Sequence, residues 1–130
     1  MHTVLWGLAF VAFLSVVLGS GQAHAVDSLG LVPRPAELHL EASAFTFTPE
    51  TVICANRPYL EVAEQFAALL RPATGYPLKV GVAMRLADHT NYVAFLEAPE
   101  LASLGPEGYT LQVDPGAVTV RSSGSAGAFY

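Results

Sequence analysis

The sequence is poor in cysteine and in charge, and each shortage excludes a class of protein. Cys54 is the only cysteine among 130 residues, so no disulfide forms within the chain and packing must hold the fold. Charged residues make up 13%, with six Lys and Arg against 11 Asp and Glu and a net charge of −5. The six basic residues are scattered and form no stripe that would neutralise a phosphate backbone. We therefore expect no nucleic-acid partner.

The sequence also lacks the spacings that hold metals or pair catalytic acids. His39 and His89 are far apart, and neither belongs to a His-Glu-x-x-His motif. No Asp stands next to a Glu anywhere in the chain. The remaining candidate acids fall on the polar side of a predicted helix or in and beside loops, where we expect solvated surface: Glu61, Glu64, Glu97, Glu100 and Glu107. We therefore predict no catalytic residue, no metal ligand and no cofactor-binding residue.

Three other groups of residues favour structural roles. Cys54 ends a β-branched run without a base or cap to lower its pKa, which predicts an inert, buried thiol. The segment 123–127 has neither the glycine spacing nor the lysine of a phosphate-binding loop, and Ser125 as a helix cap explains it. A sugar-stacking platform is the alternative to core packing for four aromatic residues, three of them on strand patterns: Tyr76, Tyr92, Phe95 and Tyr109.

The N-terminus carries the longest apolar run, from Val4 to Leu18. Its length is typical of a signal peptide rather than of a spanning helix, and Ala23-His24-Ala25 supplies the small residues that a signal peptidase reads. We predict a signal peptide over 1–25 and an exported domain over 26–130, periplasmic or extracellular and without a stable membrane anchor. No Lys or Arg precedes the run, so an uncleaved anchor stays open as the alternative.

Periodicity predicts the elements of the mature chain. Alternating residues at 37–40 and 45–47, and a β-branched run at 51–54, favour strands. Apolar residues at helical spacing from Tyr59 predict a helix that Asn56 caps and Pro72 ends. Two further strands, at 78–82 and 92–96, are expected well inside the sheet, and 99–105 has room for one or two helical turns.

The C-terminal part shows the clearest local signal. Residues 109–113 and 117–121 alternate on either side of Asp114-Pro115-Gly116, which predicts a hairpin, and a helix begins near residue 125. The order of elements indicates an α+β fold with a mixed, mainly antiparallel sheet and helices on one face.

Five short motifs carry a family resemblance over essentially the whole mature chain. In order they are Leu31-Val32-Pro33-Arg34-Pro35, Ala73-Thr74-Gly75-Tyr76-Pro77-Leu78, Glu107-Gly108-Tyr109-Thr110-Leu111-Gln112-Val113, Ala117-Val118-Thr119-Val120 and Ala126-Gly127-Ala128-Phe129-Tyr130. Together they resemble the N-terminal domain of β-N-acetylhexosaminidases of glycoside hydrolase family 20. The last two blocks are the most specific, because the family pairs an E-G-Y-x-L-x-V strand and hairpin with an A-G-x-F-Y helix start.

The resemblance implies a zincin-like domain without a metal, non-catalytic, packed against a downstream (β/α)8 barrel. That barrel would remove terminal N-acetylhexosamine residues from a glycan substrate. In the family an Asp-Glu pair of the barrel acts with the acetamido group of the substrate, and nothing in this chain matches that pair. Two alternatives stay open: an accessory domain of another exported glycosidase, acting on amino sugars or uronic acids, and a free-standing carbohydrate- or protein-binding module.

Overall fold

The computed structural model describes residues 35–129. The chain divides into two units, 1–40 and 41–130, and every helix and strand of the described range lies in the second. The predicted signal peptide, its cleavage site and the first family motif, except Pro35, lie outside the described residues. In the first unit, residues 35–40 form neither helix nor strand, so the strand expected at 37–40 is wrong.

Five strands form one sheet in the order β2-β1-β3-β5-β4. Their bounds are β1 Val52–Ala55, β2 Lys79–Val82, β3 Tyr92–Glu97, β4 Tyr109–Asp114 and β5 Ala117–Ser122. The α+β class and the mixed sheet are confirmed. The expectation of a mainly antiparallel sheet is wrong, because β1–β2, β1–β3 and β3–β5 are parallel and only β4–β5 is antiparallel. A helix between strands allows a parallel return, and alternation within a strand does not encode the direction of its partner.

The hairpin is confirmed at the predicted place. Asp114 pairs with Ala117, so Pro115 and Gly116 form a two-residue turn between β4 and β5. The position expected for β3 is also correct, since β3 lies at the centre of the sheet. The same expectation for 78–82 is wrong because β2 is an edge strand. The short apolar pattern of residues 78–82, with Gly81 within it, does not distinguish an edge strand from a central strand.

Helix α1, Leu60–Thr74, follows β1 through a short 3-10 turn at Arg57–Tyr59. Pro72 lies inside α1 instead of ending it, and the helix stops at Gly75, whose φ of 71° is left-handed. A proline in the last turn removes a single hydrogen-bond donor, whereas the glycine reverses the chain. Asn56 occupies the capping position, but its side chain accepts a hydrogen bond from the backbone N–H of Glu97 at 2.7 Å rather than from the helix.

The core lies between α1 and one face of the sheet. Ile53 and Ala55 on β1, with Val93 and Phe95 on β3, are buried against Ala63 and Ala67 of α1 and against other residues of the cluster. Helix α2, Ser125–Phe129, contributes Ala128 to the same cluster. Both helices of the described residues therefore lie on one face, as expected. A 3-10 helix at Pro99–Leu104 fills the interval where one or two turns were expected.

Residues 45–47 form no strand, although their alternation predicted one. Phe45 and Phe47 instead meet edge to face, with ring centres 5.1 Å apart, and pack against the core. Asn91 holds the segment by donating its side-chain N–H to the carbonyl of Thr46 at 3.0 Å. The alternation thus reflects one-sided burial without a strand partner.

Candidate functional site

The candidate acids do not converge on a site. Glu61 and Glu64 are exposed on α1, and Glu97, Glu100 and Glu107 are exposed at the end of β3 or in the connection from β3 to β4. Two of the five have ionic partners: Glu64 binds Arg71 at 3.3 Å and Glu100 binds Arg121 at 2.5 Å. All five lie on solvated surface, as the sequence predicted.

The histidines and the cysteine lie in ordinary structural surroundings. His39 pairs with the exposed Glu37 at 2.7 Å, and the ring of His89 stands against Tyr92 with centres 6.5 Å apart. Among residues 35–129, no three His, Cys, Asp or Glu side chains cluster where they would hold a metal ion. Cys54 is buried, and burial raises the pKa of its thiol, because desolvation penalises the thiolate. The prediction that the thiol is buried is confirmed, and its inertness stays a prediction.

The four aromatic residues do not form a common platform. Phe95 is buried and meets Phe66 edge to face at 5.5 Å between ring centres. Tyr92 lies three residues before Phe95 on β3 and so projects from the opposite face of the sheet. Tyr76 packs against the core from the loop after α1, and Tyr109 lies on the edge strand β4. Phe95 and Tyr76 belong to the core packing, and Tyr92 and Tyr109 lie on opposite faces of the sheet.

Two of the family motifs, the one that begins at Glu107 and the one that begins at Ala126, meet in space at a pair of glycines. Gly127 lies in the only full turn of α2, and a Cβ added there would be 2.5 Å from the carbonyl oxygen of Gly108 and 2.9 Å from Cβ of Ser122. A Cβ on Gly108 would overlap Leu104. Such separations are closer than van der Waals contact allows, so α2 reaches its position because Gly127 has no side chain, and Gly108 can lie against Leu104 because it has none.

We call this pair the glycine contact. It fixes the start of α2 against the loop before β4, at the end of the sheet where β5 finishes. The hydroxyl of Ser122 donates to the carbonyl of Gly124 at 2.9 Å and holds the turn between β5 and the helix. Both motifs stand out in the sequence, but nothing in either predicts that they touch. The only sequence feature that could have indicated the contact is the glycine within each motif.

An open apolar surface begins beside α2. A groove of about 490 Å³ runs between the flank of α1 and α2, and its lining includes Val62, Phe66 and Leu69 of α1 together with Phe95 and Ala128. The strand register continues this surface outward, because Phe95 pairs with Val120 and Val120 pairs with Leu111. Paired residues share a face of the sheet, so Val120 and Leu111 lie on the same face as Phe95, which lines the groove.

We call this surface the apolar trough. It comprises Val62, Phe66 and Leu69 of α1, Phe95 of β3, Val118 and Val120 of β5, and Leu111 and Val113 of β4. Leu69 is 77% exposed, Leu111 56% and Val113 42%. An alternating strand with an apolar face normally buries that face. Among the described residues, the apolar trough therefore leaves large apolar side chains of α1 and β4 exposed.

None of the helices in the described range is both long enough and apolar enough to span a bilayer. The predicted signal segment lies outside that range, so the expectation of an exported protein stays a prediction.

Comparison with known proteins identifies the domain. Residues 28–130 match the family model for glycosyl hydrolase family 20, domain 2. The solved GH20 beta-N-acetylhexosaminidase from Streptomyces coelicolor A3(2) is 30% identical with a TM-score of 0.62, and the match covers 75% of this chain and 19% of that chain. The Streptomyces plicatus N-acetyl-beta-hexosaminidase, solved in complex with Thio-NAglucal, is 31% identical with a TM-score of 0.66, covering 76% and 19% respectively.

No curated protein matches the sequence. The chain spans about a fifth of the length of the two solved hexosaminidases, 19% in each case. The family match covers most of the chain, and its limits include all five strands and both helices. The resemblance carried by the sequence motifs is therefore confirmed. The chain belongs to glycosyl hydrolase family 20, and its described fold is that of the family's domain 2.

Proposed function

We propose that this chain is the non-catalytic N-terminal domain of an exported β-N-acetylhexosaminidase, and that it supports a catalytic (β/α)8 barrel downstream of it. The observation that carries the proposal is the match of residues 28–130 to domain 2 of the family, alongside two hexosaminidases of which the chain spans 19%. Removal of terminal N-acetylhexosamine residues from glycans would then belong to the complete polypeptide.

The distribution of acids supports a scaffolding role rather than a catalytic one. Glycoside hydrolysis needs an acid that protonates the leaving oxygen and a second group that stabilises the positive charge at the sugar. The exposed carboxylates of the described part are spread over α1, the end of β3 and the loop before β4. Two of them, Glu64 and Glu100, are already engaged by arginines of the same surface. The family match also favours family 20 over the alternative of another glycosidase.

An activity assay on two polypeptides tests the proposal. The purified chain ending at Tyr130 is expected to hydrolyse no chromogenic N-acetylglucosaminide, and a longer polypeptide that includes the downstream coding sequence is expected to hydrolyse it. Expression in a host whose own hexosaminidase gene has been deleted removes the background. Turnover by the short chain that is lost in a Glu97→Ala, Glu100→Ala, Glu107→Ala or Asp114→Ala variant would show that the acids form an active site.

Export is tested separately. We expect a signal peptidase to cut after Ala25, because Ala23 and Ala25 are the small pair behind the apolar run. Mass spectrometry of protein recovered outside the cytoplasm should then find Val26 as the first residue. An intact Met1 on a membrane-bound form would instead support the uncleaved anchor.

A further inference from the structure

The loop from β2 to β3, residues 83–91, presents an exposed arginine on a strained backbone. Arg85 is exposed, and its φ of 132° lies in a region that residues with a side chain rarely adopt. The only regular structure in the loop is one 3-10 turn, Leu86–Asp88. The N–H of Asp88 donates to the carbonyl of Arg85 at 3.0 Å, and that of His89 to Leu86 at 3.1 Å. Few contacts therefore have to break before this backbone can extend.

Three of the other basic residues are followed directly by proline. The sequence contains six Lys and Arg, and Arg34-Pro35, Arg57-Pro58 and Arg71-Pro72 account for three of them. Proline has no N–H and a fixed φ, so the bond before it fits poorly into the extended backbone that an endopeptidase holds in its cleft. These three arginines are therefore protected by their neighbours in the sequence.

The two remaining basic residues are protected by the sheet. Lys79 begins β2, pairs with Val52 of β1 and follows the fully buried Leu78. Arg121 lies in β5, which is hydrogen-bonded to β3 on one side and to β4 on the other. Cleavage beside either residue requires part of the sheet to open, whereas cleavage after Arg85 requires only the loop to move.

We propose that the bond between Arg85 and Leu86 is a processing site for an endopeptidase selective for basic residues. Such an enzyme binds the arginine in a pocket with a carboxylate at its base, as trypsin does. Water is the co-reactant: its hydroxyl joins the carbonyl carbon of Arg85, the C–N bond breaks, and the nitrogen of Leu86 takes a proton. The products are a carboxyl end at Arg85 and an amino end at Leu86. This site goes beyond the proposed function and does not depend on it.

The two pieces remain together after the cut, because the sheet order places β1 between β2 and β3. All four residues of β1, in the first piece, pair with β3 in the second. The rings of Phe66 and Phe95 meet across the same boundary at 5.5 Å between centres. The buried hydroxyl of Tyr59 donates to the carbonyl of Ser122 at 2.9 Å. Processing therefore yields a folded domain of two chains.

Limited digestion of the purified native chain with trypsin tests the inference. We expect one early cut, with mass spectrometry finding one piece that ends at Arg85 and a second that begins at Leu86. Gel filtration without denaturant should elute the two pieces together at the position of the uncut chain. In urea the pieces should separate.

Three variants define the site. Arg85→Gln should lose the early cut, whereas Arg85→Lys should keep it, because the same pocket accepts both basic side chains. Lys79→Gln is the matched control, since it removes an exposed basic residue of the neighbouring strand, and its digestion pattern should equal that of the unchanged chain. Urea unfolding of each variant before digestion checks that all of them are folded.

Three results would overturn the inference. An early cut at Lys79 or Arg121 would mean that the sheet opens more readily than the loop. A native chain that resists trypsin, although the urea-unfolded chain is cut at Arg85, would show that the loop does not reach the protease. Pieces that separate in gel filtration without denaturant would show that the contacts between β1 and β3 do not hold the two-chain form together.

Discussion

Beneath α1, Ile53 and Ala55 of β1 are fully buried, whereas on β4, on the same face of the sheet, Leu111 is 56% exposed and Val113 42% exposed. On the face that they share, both strands carry apolar side chains, although β1 is apolar at every position and β4 alternates apolar with polar residues. The difference lies in what each half of the sheet has above it, a helix of 15 residues on one side and a helix of five on the other. The apolar face of a strand is thus buried only where a partner element covers it.

Truncating a large aliphatic side chain in each half should show the largest contrast. Ile53→Ala is expected to lower the free energy of unfolding by about 2–5 kcal/mol, because it leaves a cavity beneath α1. Leu111→Ala removes a side chain that is already half in water and should cost less than about 0.5 kcal/mol. Urea unfolding of the two variants of the short chain measures both values. Equal costs would mean that β4 is as well covered as β1.

The glycine contact gives an intermediate effect. Gly127→Ala places a Cβ 2.5 Å from the carbonyl oxygen of Gly108, so α2 must shift, at a cost of about 1–3 kcal/mol. Gly124→Ala is the matched control, because a Cβ there has no neighbour within 4 Å. Thermal melts of the two variants separate a steric effect from a general preference for glycine. If both substitutions cost the same, the close approach of α2 to the loop before β4 is not what requires glycine.

The smallest effect is expected from the ion pair on the other face of the sheet. Arg121 and Glu100 are each about half exposed, so their contact should contribute less than about 1 kcal/mol and should weaken as salt rises. A double-mutant cycle with Arg121→Ala and Glu100→Gln, repeated at low and high salt, isolates the coupling energy. A coupling that is large and independent of salt would show that this face is held as firmly as the core beneath α1.

The sequence predicted the elements that depend on neighbouring residues better than it predicted the contacts between distant segments. The hairpin, α1 and the short turns at 99–104 follow from turn residues and periodicity, and the structure has them where expected. Strand direction and order are set by contacts between distant segments, which is why β2 was misplaced and the parallel pairings were missed. Residues 45–47 show the same limit, since their alternation came from packing of Phe45 and Phe47 without a strand partner.

For the candidate site, the sequence predicted which side chains are exposed or buried better than it predicted which residues touch one another. The exposed acids and the buried Cys54 lie as expected, because charge and apolar runs sort by burial. The contact between Gly127 and Gly108 joins a helix to a loop before another strand, and no periodicity within either segment encodes it. The same holds for the apolar trough, whose parts come from α1, β3, β5 and β4.

The position of β5 has a consequence for the order in which the domain folds. One edge of β5 pairs with β4 across a two-residue turn, whereas the other pairs with β3, and β3 in turn joins β1 across the whole of α1 and β2. Hairpins close in microseconds, while long loops carry a larger entropic cost and slow the folding of sheets rich in distant pairings. We therefore expect the β4–β5 hairpin to form first, leaving one edge of β5 unpaired while the parallel strands assemble. A newly made chain would be most prone to associate with other chains through that edge.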